Sequence, residues 1–210
     1  MIISKQRFFC LFISLLAIIV AGSPLPAIAQ TIRDNPDTGN SDRGLYLDEL
    51  AVGTGYIRSS FQHGAEDLSG YPVFVRLGFS LNSLAGIRSG HKSLQFILEP
   101  FINPKTAETD GVEAGCGIGL RYLHELSRPL DIYIEGNIAP MYLGIETTEQ
   151  GEAGFNFLSQ AGAGLRYRIT KNNAIFGGYR FRHISHAGIM DRSNDGINSH
   201  AFVIGISWLY

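Results

Sequence analysis

The chain has little cysteine and no excess of basic residues. Cys10 and Cys116 are its two cysteines, and Cys10 lies in an N-terminal segment that we predict is removed. One remaining cysteine excludes an internal disulfide and a zinc site built from cysteines. The chain carries 17 basic and 19 acidic residues, a net charge of −2. Nucleic-acid binding, which needs a basic surface, is therefore not expected.

Long apolar runs are also missing beyond the N-terminus. One such run follows Lys5 and Arg7, and its length of about 14 residues is below the roughly 20 that span a bilayer as a helix. Ala27 and Ala29 follow in the A-x-A spacing that signal peptidase recognises. We predict a secretory signal peptide over residues 1–29, with an uncleaved membrane anchor as the alternative. An exported chain without a later apolar helix is either a soluble periplasmic β protein or an outer-membrane β-barrel.

The rest of the chain divides into a lead-in and a β domain. Residues 30–44 are polar and rich in turn-forming residues, which predicts a flexible lead-in. From residue 45 to residue 210, apolar residues alternate with polar or small residues at a period of two, as in strands with two different faces. The predicted strands cover residues 45–58, 71–84, 93–103, 110–123, 130–145, 153–169, 173–185 and 198–210.

The two faces predict a membrane barrel rather than a soluble sandwich. One face of each strand is apolar, whereas the other carries glycines together with glutamates and arginines that can pair in a narrow interior. The series Gly115, Gly117 and Gly119 would pack nothing on a solvent-exposed strand. The chain ends in the aromatic segment FVIGISWLY. We predict an eight-stranded antiparallel transmembrane β-barrel of the outer-membrane type over residues 45–210, with a polar lumen; a soluble sandwich is the alternative.

The seventh predicted strand carries the segment YRFRHISHAG, residues 179–188. Strand parity places His183 and Ser185 on the lipid-facing side, near the outer end. The same parity places Asn198 and His200 on that side of the eighth strand, and the simplest register sets Ser185 opposite Asn198 and His183 opposite His200. A histidine can act as the base that activates a serine hydroxyl. A polar belt at the membrane interface, without chemistry, is the alternative.

This segment, with the following SNDGINS, resembles the lipid A 3-O-deacylase (PagL) family of eight-stranded outer-membrane barrels that hydrolyse an ester of lipid A. The local match covers residues 179–199. The resemblance implies that Ser185 is the nucleophile and His183 the general base. It also implies that the backbone N–H of Gly188 and the side chain of Asn194 stabilise the oxyanion.

Two positions depart from the family pattern. Asn198 stands where the family has an orienting glutamate, and His186 stands where it has an asparagine. Asn198 can still accept a hydrogen bond from a histidine N–H, but it cannot stabilise an imidazolium by charge. Asp191, Asp195 and His200 are alternative partners for the base.

The predicted function is that of the resembled family, a serine esterase of the outer membrane that removes the 3-hydroxyacyl chain at position 3 of lipid A. The expected partners are lipopolysaccharide and outer-membrane lipid, with a homodimer left open. No cofactor, metal or nucleic acid is expected. The alternative is an impaired or inactive barrel of the same scaffold with a structural or surface-binding role. A channel is disfavoured, because the side chains of eight strands fill the interior.

Overall fold

The structure is a computed structural model that describes residues 45–60, 68–106 and 111–210. These residues form nine antiparallel β-strands and the loops that connect them. The predicted signal peptide and lead-in, residues 1–29 and 30–44, lie outside the described residues. Within the described ranges, no helix is both long and apolar enough to cross a bilayer. The strands are β1 (Tyr46–Ser60), β2 (Leu68–Gly70), β3 (Val73–Ser80), β4 (Lys92–Thr106), β5 (Gly111–Ser127), β6 (Leu130–Leu143), β7 (Gly154–Arg168), β8 (Asn173–Ser185) and β9 (Ile197–Leu209).

The nine strands form eight barrel strands, because β2 and β3 are two parts of one. Both of them pair with β1 on one side and with β4 on the other. Pro72 lies between them and has no N–H for the ladder, so the strand is interrupted there. From β3 onward each strand pairs with its successor, and β9 pairs with β1, which closes the barrel. The predicted eight-stranded barrel is confirmed, with its second strand broken at residues 71–72.

The outer wall of the barrel is apolar, as the alternation predicted. Ile134, Phe202 and Ile204, for example, are 58%, 65% and 62% exposed. A soluble β-sandwich would bury such a face, whereas a barrel in a membrane presents it to lipid. The outer wall therefore agrees with a barrel of the outer-membrane type.

The lumen contains buried ion pairs that join strands across the barrel. Glu99 accepts hydrogen bonds from Arg76 at 2.9 Å and from Arg180 at 2.7 Å. Glu49 accepts one from Arg121 at 3.0 Å. Each of these side chains is buried. The opposite charges offset the cost of removing each group from water, which is otherwise several kcal/mol per ion.

The lumen is not polar throughout, and in this respect the sequence prediction was incomplete. At the end that carries loops 144–153 and 186–196, called here the outer end, buried apolar side chains form a cluster that includes Leu158, Ile184 and Ile197. A cavity farther into the lumen has a volume of about 10 Å³, roughly the space of one water molecule. The apolar cluster packs together the strands that carry the candidate site.

Candidate active site

The β8–β9 hairpin has a different register from the predicted one. Ile184 lies opposite Ile197, and His183 lies opposite Asn198. The expected pairing of Ser185 with Asn198 is therefore wrong by two residues. This register buries Ile184 and Ile197 together in the apolar cluster, which explains the difference. Because the shift is two residues, every side chain keeps its predicted face.

His183 is held by a side chain of the neighbouring strand. Its Nδ1 donates a hydrogen bond to Oδ1 of Asn198 at 2.8 Å, and both side chains lie half-buried on the outer wall. A carboxamide oxygen only accepts hydrogen bonds, so Nδ1 carries the proton and Nε2 keeps its lone pair. This is the tautomer that a histidine needs in order to take a proton from a serine hydroxyl.

Gly196 packs against the ring of His183, and the sequence analysis did not single it out. Its φ is +82°, in the left-handed region. A Cβ at this position would lie 2.6 Å from Cε1 of His183. Only glycine satisfies both the backbone conformation and the close approach of the ring. The available signal was a glycine two residues before Asn198, at the end of a turn-rich loop.

Ser185 is the last residue of β8 and lies two residues beyond His183. Residues at this spacing share one face of a strand, with Cα atoms about 6.5–7 Å apart. In the pairing of β8 with β7, Ser185 lies opposite Phe157. In the described part of the chain, His183 is hydrogen-bonded to Asn198, and no hydrogen bond joins it to the Ser185 hydroxyl. Hydrogen bonds between a nucleophile and its base often tighten only when substrate binds.

His186 organises the loop that follows β8. It is 1% exposed, and its backbone N–H donates to Oδ1 of Asn194 at 2.9 Å. The ring accepts from the N–H of Met190 through Nδ1 and donates through Nε2 to the carbonyl of Ser193 at 3.0 Å. Strand parity would place this histidine toward the lumen unless the strand had already ended, and β8 does end at Ser185. His186 packs inside the loop instead and fixes its shape.

The predicted oxyanion donors lie in and beside a tight turn of this loop. Ala187 and Gly188 have φ values of +53° and +72°. The N–H of Ile189 donates to the carbonyl of His186 at 3.1 Å, which is the pattern of a type I′ turn. Oδ1 of Asn194 accepts a hydrogen bond from the backbone N–H of His186. The NH₂ group of Asn194 is therefore the donor that remains for a ligand. The oxyanion roles of Gly188 and Asn194 stay predictions.

The three alternative partners of the base lie elsewhere. Asp191 and Asp195 are exposed on the loop. His200 lies opposite Phe181, so its expected pairing with the base is wrong. Nδ1 of His200 is hydrogen-bonded to the hydroxyl of Tyr179 at 2.5 Å. The observed partner of His183 is therefore a neutral amide. No three metal-binding side chains are grouped in the described part of the chain.

Comparisons with known proteins identify one family. A family model described as lipid A 3-O-deacylase (PagL) matches residues 62–207, which include the whole candidate site. The solved structure of neisserial surface protein A has a TM-score of 0.57 and 16% identity, over 80% of this chain and 99% of that one. The outer membrane enzyme PagL has a TM-score of 0.52 and 16% identity, over 75% of this chain and 97% of that one. These two structures share the fold. No curated protein sequence matches the chain.

Proposed function

Since the chain belongs to the lipid A 3-O-deacylase (PagL) family, we propose that it is an outer-membrane serine esterase that removes the 3-hydroxyacyl chain from position 3 of lipid A. The observation that carries the proposal is the 2.8 Å hydrogen bond from His183 to Asn198, with Ser185 on the same wall of the barrel. The amide holds the imidazole in the tautomer that serine hydrolysis requires.

The proposed reaction has two steps through an acyl-enzyme. Oγ of Ser185 attacks the ester carbonyl carbon while Nε2 of His183 takes the hydroxyl proton. The tetrahedral intermediate then collapses, the sugar O3 leaves with the proton from His183, and the acyl chain stays on Ser185. Water, activated by the same imidazole, releases the 3-hydroxy fatty acid and restores the serine.

The loop after β8 supplies the proposed oxyanion donors. The backbone N–H of Gly188 and the NH₂ group of Asn194 are neutral groups that can donate hydrogen bonds to the oxyanion without changing their protonation state. Loss of one such donor usually lowers kcat by about 100- to 1,000-fold. The hydrogen bonds of His186 to Asn194 and to the Ser193 carbonyl hold this loop in one shape, which favours donors in fixed positions.

The lipid-facing position of the site suits a substrate that stays in the membrane. Below His183 the outer wall carries the exposed rings of Tyr179, Phe181 and Phe202, which offer apolar surface to acyl chains. Ser185 lies at the outer end of the same strand, where the ester groups of an outer-leaflet lipid would be. The polar residues of the site face that interface, and polar groups are costly in such a position unless they have a function.

A second candidate function is a barrel of the same scaffold with weak or no esterase activity. The observation that favours it is the neutral Asn198, since an amide cannot stabilise the imidazolium formed during the reaction. Such a barrel would bind lipid without cleaving it.

The experiment that separates the two candidates uses the purified protein in detergent micelles with lipid A. Release of free 3-hydroxy fatty acid is measured for the wild type, for His183→Ala and for Ser89→Ala, a control in an exposed turn at the other end of the barrel. The esterase proposal expects release by the wild type and the control, and little or none by His183→Ala. Equal release by all three proteins, or none by any, would contradict it.

A further inference from the structure

A cleft of about 420 Å³ opens beside the candidate site, between the start of β7 and the loop after β8. It is lined by Glu152 and Phe155 on one side and by Met190, Asp191 and Arg192 on the other. Its volume is within the range of about 300–1,000 Å³ that is typical of small-molecule sites. The reaction proposed above uses none of these side chains.

The walls of the cleft are joined by Arg192. Its guanidinium donates to the carbonyl of Glu152 and, at 2.7 Å, to the carbonyl of Phe155. Farther along the loop, the N–H of Asp195 donates to the carbonyl of Glu149 at 2.9 Å. These bonds hold loop 186–196 against loop 144–153, so the cleft exists before any ligand binds. A preformed site avoids the cost of ordering its loops on binding.

The cleft is next to the candidate nucleophile, on its outer side. Phe157 lies opposite Ser185, and the ring of Phe155 contacts the ring of Phe157 edge-on, with centroids 5.0 Å apart. Phe155 is two residues nearer than Phe157 to the outer end of β7. A lipid whose ester lies at Ser185 and whose acyl chains follow the apolar wall would therefore extend its headgroup toward the cleft.

The chemistry of the lining fits a sugar ring. The carboxylates of Glu152 and Asp191 accept hydrogen bonds, which the hydroxyl and amide N–H groups of an amino sugar can donate. The exposed ring of Phe155 offers an apolar surface to the C–H face of a pyranose. Arg192 also lines the cleft, but its guanidinium already donates to the carbonyls of Glu152 and Phe155, so the two carboxylates weigh against a phosphate here.

We propose that this cleft is the saccharide subsite of the enzyme and holds a glucosamine ring of the lipid headgroup. The inference rests on the proposed function, since it concerns the part of the same substrate that lies outside the membrane. Glu152 and Asp191 bind the ring hydroxyls, Phe155 packs against its apolar face, and Arg192 keeps the two loops together.

A binding measurement tests the cleft without relying on catalysis. Purified lipid A is titrated into micelles containing Ser185→Ala, alone or combined with Glu152→Gln and Asp191→Asn, and Kd is measured. The matched control adds Glu146→Gln, an exposed carboxylate of the same loop that is outside the cleft lining. Loss of two hydrogen bonds to carboxylates should raise Kd by about tenfold or more. An unchanged Kd, with the barrel folded, would overturn the proposal.

Two esters distinguish failure of the inference from failure of the proposed function. The Glu152→Gln/Asp191→Asn variant should lose activity on lipid A and keep its activity on p-nitrophenyl butyrate, which has no sugar. An equal loss on both esters would overturn the subsite, because the carboxylates would then act on the catalytic loop itself. If the wild type cleaves neither ester, the proposed esterase fails, and the binding measurement still decides whether the cleft holds the sugar.

Discussion

Oδ1 of Asn198 accepts a hydrogen bond from Nδ1 of His183 at 2.8 Å, across the β8–β9 pair. This bond supplies two of the three things that the third member of a catalytic triad provides, the tautomer and the orientation of the imidazole. It does not supply the third, a negative charge that stabilises the imidazolium. A neutral amide therefore stands where the resemblance to the family led us to expect a glutamate.

The neutral partner leads to a prediction in which a substitution raises the proposed esterase activity. Asn198→Asp restores the charge with nearly the same shape, and we expect kcat on lipid A to rise roughly tenfold or more. Asn198→Ala removes the hydrogen bond and should lower kcat by at least about tenfold. Both values come from initial rates of fatty acid release by purified protein. A lower rate for Asn198→Asp than for the wild type would contradict the role given to this residue.

The contact between Gly196 and the His183 ring predicts that a single methyl group disturbs the base. Gly196→Ala places a Cβ where the ring lies, 2.6 Å from Cε1. Displacement of a catalytic group by about 1 Å can cost about 100-fold in rate, and we expect a loss of that size in kcat. Gly86→Ala is the matched control, because Gly86 has a similar φ of +67° with nothing within 4 Å of the added Cβ.

The two glycine variants separate strain from displacement of the ring. Both should lose about 1–3 kcal/mol of stability from the left-handed backbone, and Gly196→Ala should lose more because its Cβ also meets the His183 ring. Only Gly196→Ala should lose activity, as measured by fatty acid release at equal amounts of folded barrel. An equal loss of activity in both variants would show that the ring contact has no special role.

The buried ion pairs predict where the barrel is sensitive to loss of one charge. Glu99→Gln removes one of the two carboxylates that contact both Arg76 and Arg180 in the lumen, and Glu135 alone is left to offset the two guanidinium charges. Removal of one partner of a buried pair costs about 3 kcal/mol or more. The free energy of unfolding, measured with denaturant in detergent micelles, should fall by that amount. Glu146→Gln, on an exposed loop, should change it by less than about 0.5 kcal/mol.

The faces of the strands could be predicted from sequence because alternation reports them directly. His183, Ser185 and Asn198 all lie on the outer wall as parity required. The register of the β8–β9 hairpin could not be predicted in this way, because a shift of two residues keeps every side chain on its face. The contact of Ile184 with Ile197 in the lumen decides the register, and that contact is visible only in three dimensions.

Loop features escaped the sequence analysis for a different reason. The surroundings of His186 depend on where β8 ends, which alternation does not report, and its hydrogen bonds to Asn194 and Ser193 shape the loop beyond that end. Gly196 matters because of a positive φ and a close contact with a ring, neither of which has a periodic signal. The cleft near Arg192 depends on two loops that are far apart in sequence.

The most direct test of the account is mass spectrometry of lipid A from Gram-negative cells that express the wild type, Ser185→Ala or the control Ser89→Ala, each at equal amounts of folded barrel in the outer membrane. The account predicts lipid A lighter by one 3-hydroxyacyl chain in cells with the wild type and with Ser89→Ala, and unmodified lipid A with Ser185→Ala. Unmodified lipid A in all three strains, or loss of the chain with Ser185→Ala as well, would contradict the claim that Ser185 is the nucleophile of a lipid A deacylase.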